Sequence, residues 1–598
     1  MEISPEETKD FMGWGVGQLA TFLHQNGIPE KVVEILTEEK VEGKHIPRLS
    51  AEILMAKGIS FQECLSLQEI FEELTSTSLK SKVMKVYNDP IHGHIEVNPA
   101  CQAIIDTPIF QRLRFIKQLG MVYYIYPGAA HNRFEHSLGV YYLAGKFARQ
   151  LQNNQPELNI TDKDILCVEI AGLCHDIGHG PFSHVFDKVF LPTININTDL
   201  NHEKVAVQLL DEIYVLADLS KYGIDETDKI FIKEMIGGPM EIVGSQGWPY
   251  RGRKEDKSFL YEIVCNKRNC IDVNKWDSLA RDCHHLGFNI NFDYKRFMMF
   301  AKVIDYNGEM QICVRDKEIS NLYNMFHTRY TLHKFAYQQK VNCGLEIMLT
   351  DALILADKHV KFIGTNGKEH SISSCITDIE AYHQLTDNVL FKILYDHDSD
   401  TASDSELNKA REIIHRIFKR DLYTCVWEKQ TTHIMRRNEK TNLEESIETF
   451  VLQYKKKDSP LDRKDLVAKI VFMDFGMREV NPIQNLKVYS KKTPNQARHF
   501  TRDETSRILT PVAFVEMEIR VYSKTSDIEK RKTIADASET WYRKWQSDQI
   551  KQKQSLENFS IDNIDFLIND FLARDIKNKS TKELAKQIIR SMNASKHF

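Results

Sequence analysis

The stretch Ala171-Gly-Leu-Cys-His-Asp-Ile-Gly-His-Gly180 sets two metal-competent side chains, His175 and Asp176, side by side. Adjacent residues on a helix project about 100° apart, so this pair cannot close on one ion as an i, i+4 pair would. Such a pair suits a site assembled from several helices, with further ligands elsewhere. His136, in His131-Asn-Arg-Phe-Glu-His-Ser137, supplies one. Imidazole with carboxylate holds Fe, Mn, Zn or Mg-like ions. A bound divalent ion lowers the pKa of water and polarises a phosphoryl oxygen. For one histidine alone a satisfied core residue is the ordinary reading. Three residues together, with Arg133 one turn before His136, favour a metal site.

Proton carriers follow at once: His179, His184, Asp187 and His202. His179 and His184 also read as turn residues. Yet a leaving alkoxide needs a proton and an attacking water needs orientation, which gives clustered His and Asp a task. His184 and His202 are the expected proton-handling pair, with Asp187 orienting His202. A polyphosphate substrate also requires cations. Arg133, Lys275 and Arg329 stand beside these motifs; elsewhere each would pass as a solvated charge.

These side chains need helices to position them. Ile165, Leu166, Val168, Ile170, Ala171 and Leu173 predict a buried helix that runs out at His175. Thr161 with Asp164 can cap its start, while Gly178, Gly180 and Pro181 stop it. Helical spacing extends from Lys85 to about Ile290, apart from Lys85–Val97, which predicts two short strands around a Pro-Gly turn. Helices continue through Phe326–Val341. The acidic stretch Tyr395–Glu406 reads as an exposed loop. Residues 465–525 turn to β-branched segments and predict one small appended sheet. A charged helical tail ends in an amphipathic segment near Asn563–Met592. Residues 8–75 form a small helical module with Trp14 in its core, and residues 76–84 a polar linker. The expected fold is mainly α: an N-terminal helical bundle, an all-α core over 85–460, and a small α+β lobe over 461–598.

Composition is that of an ordinary globular protein, with 42% hydrophobic and 27% charged residues. A net charge of -5 gives no global argument for nucleic acid or membrane. No secretory signal stands out, and no apolar run reaches the roughly 18 residues of a membrane span. Eleven cysteines without a Cys-x-x-Cys pair read as reduced thiols of a cytosolic or nuclear protein.

The order His, His-Asp, later Asp resembles the HD-domain metal phosphohydrolases, and the N-terminal module is similar to a sterile-alpha-motif domain. Longer strings narrow the family: Asn88-Asp-Pro-Ile-His-Gly-His, Phe110-Gln-Arg-Leu-Arg, Ile116-Lys-Gln-Leu-Gly, His131–Gly139, Ala171–His184 and Met325-Phe-His-Thr-Arg329. Together they resemble the vertebrate sterile-alpha-motif and HD-domain dNTP triphosphohydrolases. That resemblance implies cleavage of a dNTP at its α-phosphate to deoxynucleoside and intact triphosphate. It implies Gln118 and Asp282 near the 3′-hydroxyl, and Leu119 with Tyr337 at C2′, where a filled space rejects ribonucleotides. Lys275, Arg329, Arg133 and His184 fall on phosphate-binding positions, with Gln338 beside Tyr337 in the same substrate set. The family's Asp before Lys-Trp-Asp is here Asn274, which implies a fourth metal ligand without charge and a metal-impaired enzyme. Ser278 stands where the family carries Tyr.

The resemblance further implies activation by GTP or dGTP at Lys85, Val86, Asp106, Gln111 and Arg114, with Arg420 from a neighbouring subunit. An adjoining dNTP would use Asn88, Arg296, Arg315, Lys317 and Lys491. Binding across subunits implies a nucleotide-assembled homotetramer, and Gln339 and Cys343 depart from the family there. Protein contacts through the N-terminal module, a nuclear location and a part in limiting dNTP supply to viruses are implied likewise. Two other readings stay open. One is a catalytically silent nucleotide sensor or single-stranded nucleic-acid binder, using Lys530–Lys532 and the helix around Trp541–Lys551. The other is an HD phosphodiesterase acting on a different ester.

Overall fold

A computed structural model describes residues 11, 13–49, 51–80, 84–194, 201–240, 248–395, 405–431, 439–454, 460–501, 504–506 and 508–573. The chain forms two compact units, one of Met1–Asn342, Glu346–Lys419 and Asp474–Phe514, the other of Cys343–Leu345, Arg420–Met473 and Val515–Phe598. The expected boundary at 460/461 lies within the segment Arg420–Met473 of the second unit.

Within the first unit, residues 11–80 form a helical bundle with helices Val16–Gln25, Glu30–Glu38, Ala51–Ala56 and Phe61–Lys80. Leu19 with Leu23 and Val32 with Leu36 recur at helical spacing and turn one stripe of each helix inward. Trp14 is buried with them. The last helix reaches Lys80, so the stretch expected as a linker is helical from 76 to 80; residues 81–83 lie outside the described residues. The expected acidic loop likewise falls largely on 396–404, outside the described residues, as does the tail beyond 573.

Lys85–Asp89 and Gly93–Val97 form the expected antiparallel hairpin, with Asp89 opposite Gly93. The core helices that carry the site are Arg133–Asn154, Asp162–Cys174, His202–Leu216, Val273–Leu286 and Ile319–Leu332. Asp162–Cys174 is the most central: from Asp164 on, all but Leu166 of its residues are buried. Thr161 and Asp164 close its N-terminus reciprocally, at 3.0 and 3.1 Å.

The core is not all-α, and the β-branched region does not make one sheet. Lys487–Tyr489 joins a four-stranded sheet ordered Arg498–His499, Lys487–Tyr489, Glu309–Arg315, Ala301–Tyr306, all inside the first unit. The expectation of an all-α core over 85–460 leaves out the hairpin of 301–315 because Val303-Ile304 and Ile312–Val314 are continuous apolar runs, which periodicity does not assign.

The second unit stacks Thr424–Thr431, Val515–Ser523 and Leu466–Asp474 in that order. Ile447, Ile470, Ile519, Val521, Ile534 and Trp541 join this sheet to helices Lys440–Gln453 and Ile528–Ala573. Lys530 is tied to Asp465 at 2.8 Å, which takes one charge from the basic cluster considered for nucleic acid. Among the described residues no helix is long and apolar enough to cross a membrane.

Candidate metal and active site

His136 lies in the first turn of Arg133–Asn154, and His175 ends Asp162–Cys174. Their Nδ1 atoms are both engaged: His136 faces Asp277 Oδ2 at 2.7 Å, His175 faces the Gly172 carbonyl at 2.9 Å. An acceptor at Nδ1 keeps the proton there and leaves Nε2 with its lone pair. The two Nε2 atoms converge to 3.2 Å. That is the spacing of two ligands on one ion bound at about 2.0–2.1 Å. Asp176 completes the group, 3.5 Å from His136 Nε2 and 3.3 Å from His175 Nε2. All three residues are buried.

Burial pushes the His175 imidazole below its usual range, which favours the neutral, ligating form. Burial opposes charge on Asp176, yet His175 and the Arg133 guanidinium, 2.5 Å away, hold its carboxyl well below the carboxylate range. The donor set therefore fits a divalent cation.

Asp277 is a residue of the site that no sequence motif nominated. It stands behind His136, on the side away from His175 Nε2. Arg281 holds it from Nε at 2.9 Å and Nη2 at 2.8 Å, and His92 Nε2 lies 2.7 Å away. Space for this carboxylate comes from Gly139, where a Cβ would lie 1.8 Å from Asp277 Oδ1. Asp272 is also committed elsewhere, since it caps Val273–Leu286 and accepts from the Lys275 backbone at 3.0 Å. Asn274 lies one turn before Asp277, on the same helix face. It is half-buried and lines the cavity that Asp176 borders.

That cavity measures about 410 Å³. Gln118, Leu119, Arg133, His184, Lys275, Asp282, Arg329, Tyr337 and Gln338, the whole expected substrate set, line it together with Ser278. At one end Asp282 receives His131 Nε2 at 2.8 Å and the Tyr337 hydroxyl. Leu119 and Tyr337 pack there on buried Val122, Ala129 and Ala336, forming an apolar wall.

The structure also brings His179, His184, Asp187 and His202 together, with ligating atoms within 4.8 Å of one another. His202 Nδ1 lies 2.8 Å from Asp187 Oδ2, and its ring stacks on His179 at 4.0 Å. Gly178 permits this approach, since a Cβ there would meet the His202 carbonyl at 2.1 Å. Burial, with the Arg133 guanidinium beside it, pushes His179 well below its usual range, so it stays neutral. His184 is half-exposed to the cavity, with Nδ1 3.5 Å from Asp187 Oδ1.

The loop between these groups is strained: Phe182 and Ser183 take φ of 56° and 57°, a region costly for residues with side chains. Asp387 holds it there, accepting the Phe182 N–H at 2.6 Å and the Lys117 N–H at 2.8 Å. No sequence signal pointed to Asp387.

Residues 133–281 match the HD domain family model. The chain is 45% identical to human deoxynucleoside triphosphate triphosphohydrolase SAMHD1 over 550 residues, which cover 90% of this chain and 86% of that protein. The chain belongs to the SAMHD1 family. The bovine SAMHD1 enzyme is 42% identical over 97% of this chain and 92% of its own length. A SAMHD1 homolog from Dictyostelium discoideum is 35% identical over 79% of this chain and 83% of its own.

In this SAMHD1-family chain the expected activator residues lie outside the cavity lining, most of them exposed, with Gln111 and Arg315 half-buried. Lys85, Val86 and Asn88 are exposed on the first strand. Gln111 accepts from Arg114 Nε at 2.8 Å, and Asp106 from the Gln102 amide at 2.8 Å. Arg296 and Arg315 both lie over the Phe300 ring, at 5.0 and 5.6 Å, and Lys317 follows in the turn Asp316–Glu318. Lys491 is exposed, and Arg420 belongs to the second unit.

Proposed function

We propose that this chain is a metal-dependent dNTP triphosphohydrolase with a weakened metal site. The observation that carries the reading is the convergence of the two Nε2 atoms beside Asp176, a residue that itself lines a cavity holding every expected substrate contact. His136, His175 and Asp176 would hold a divalent ion, with the Asn274 amide oxygen as an uncharged fourth donor. Such an ion, when bound, polarises a phosphoryl oxygen and acidifies water. Fe, Mn, Zn and Mg all remain compatible with these donors.

The chain's own groups do the rest. Arg133, Lys275 and Arg329 bind phosphate oxygens. Water adds at the α-phosphorus and passes its proton to the bare Nε2 of His202, the bond from phosphorus to O5′ breaks, and the leaving oxygen takes a proton from His184. Asp187 fixes His202 with the proton on Nδ1 and Nε2 facing the site. Gln118 and Asp282 reach the 3′-hydroxyl, and the Leu119–Tyr337 wall excludes a 2′-hydroxyl. Activation by GTP or dGTP and dNTP at the surface clusters, through a homotetramer, extends the same reading. The N-terminal bundle serves protein contacts as a sterile-alpha-motif domain.

Asn274 and Ser278 favour one rival, a nucleotide sensor that binds without turnover. Incubation with dGTP and a divalent metal, with products resolved, separates the two. Deoxyguanosine and triphosphate support the hydrolase. Intact dGTP, even from the Asn274→Asp chain loaded with metal, supports the sensor. Pyrophosphate with dGMP defeats both.

A further inference from the structure

The cavity wall carries four permanent cations among the described residues, Arg133, Lys188, Lys275 and Arg329. Two are already neutralised. Arg133 Nη1 lies 2.5 Å from Asp176, and Lys275 Nζ lies 2.9 Å from Asp272. Arg329 and Lys188 make no ion pair among the described residues, and Arg329 Nε is buried without a hydrogen-bond acceptor. The acids that act on Lys188 are Asp187 and Glu203. Both are engaged, Asp187 with His202 at 2.8 Å and Glu203 with Lys267 at 2.9 Å.

Arg133 and Arg329 meanwhile repel the Lys188 ammonium. Lys188, Arg329 and His333 all line this cavity, and both cations act on the His333 imidazole. Collecting like charges this way is unfavourable unless a polyanion joins them. The local backbone puts Lys188 there: Phe186–Phe190 is a π-helical turn, a form common at functional sites. In it Asp187 turns to His202 while Lys188 borders the cavity.

We propose that Lys188 is a polyphosphate-binding residue, clamping the triphosphate with Arg329. The inference rests on reading the cavity as a triphosphate site, and it adds a cation that the motifs did not nominate. It also gives a consequence for this chain: charge removed from the metal shell at Asn274 is offset, for nucleotide holding, by an ammonium on the phosphate side. Triphosphate binding then depends less on the metal than hydrolysis does.

The test uses the full chain in EDTA, with dGTP, inorganic triphosphate and deoxyguanosine as probes, measured by calorimetry. Lys188→Ala should weaken dGTP and triphosphate about tenfold and leave deoxyguanosine unchanged. Lys188→Arg should restore binding. In the Asn274→Asp background with metal, Lys188→Ala should raise KM for dGTP more than it lowers kcat. The activator residues lie outside the cavity, so their binding is a background common to all variants. Unchanged dGTP and triphosphate binding in Lys188→Ala overturns the role of Lys188 alone. An equal loss for deoxyguanosine overturns it too, by showing a structural effect. If the parent chain binds neither phosphate probe, the triphosphate reading of the cavity fails with it.

Discussion

Nδ1 of His136 lies 2.7 Å from Oδ2 of Asp277, a carboxylate itself gripped by Arg281 and His92. Burial opposes charge there, but Arg281 foremost holds the Asp277 carboxyl well below its usual range, so it stays an acceptor at any physiological pH. The proton on His136 is thereby fixed at Nδ1, and Nε2 remains a ligand.

Asp277→Asn should therefore lower metal affinity by about 10–100-fold, the usual effect of losing a carboxylate behind a ligating histidine. The milder variant is the right one, because Asp277→Ala would strand the buried Arg281. Metal content by elemental analysis at controlled free metal checks the result.

Asn274→Asp should raise both metal occupancy and dGTP turnover. A carboxylate adds one negative charge where the amide offers only a neutral oxygen. Metal titration and product formation, compared in parallel with the parent chain, decide it. No gain in either would show that position 274 is not a ligand.

Gly139→Ala should cost about 1–3 kcal/mol of stability, as overpacking does, and should also shed metal. Its Cβ would fall 1.8 Å from Asp277 Oδ1, so the carboxylate behind His136 must move. Denaturant unfolding and metal content should change together.

Asp387 couples pH to activity without weakening the fold. Burial pushes its carboxyl up to about 6, against the pull of two backbone N–H donors. A folded value above the ordinary one means the fold binds this proton more tightly than the unfolded chain. Acidification from about pH 6 to 4 thus adds stability from this group. The neutral acid, however, holds the Phe182 and Lys117 amides less firmly. In the Asn274→Asp background, kcat should fall as pH drops through about 6, while this titration does not lower Tm. Asp387→Asn should remove that limb of the profile and reduce kcat by about tenfold at neutral pH.

The sequence carried the metal residues well, because His136, His175 and Asp176 announce themselves by residue type and sit on helices with readable caps. It carried the cavity lining through matched strings, not physics: Gln118 and Asp282 look ordinary in isolation. Asp277 was not nominated because its partner, His136, lies on another helix 141 residues away. Asp387 acts across some 200 residues of separation and left no local pattern. The hairpin at 301–315 was lost because its apolar runs suit strand or buried helix equally.

The most direct test loads the Asn274→Asp chain with Mn or Fe, adds dGTP with GTP as activator, and resolves products by ion-exchange chromatography. Equimolar deoxyguanosine and inorganic triphosphate, abolished by His175→Ala, is the predicted result. Intact dGTP from metal-loaded protein, or dGMP with pyrophosphate, would contradict it.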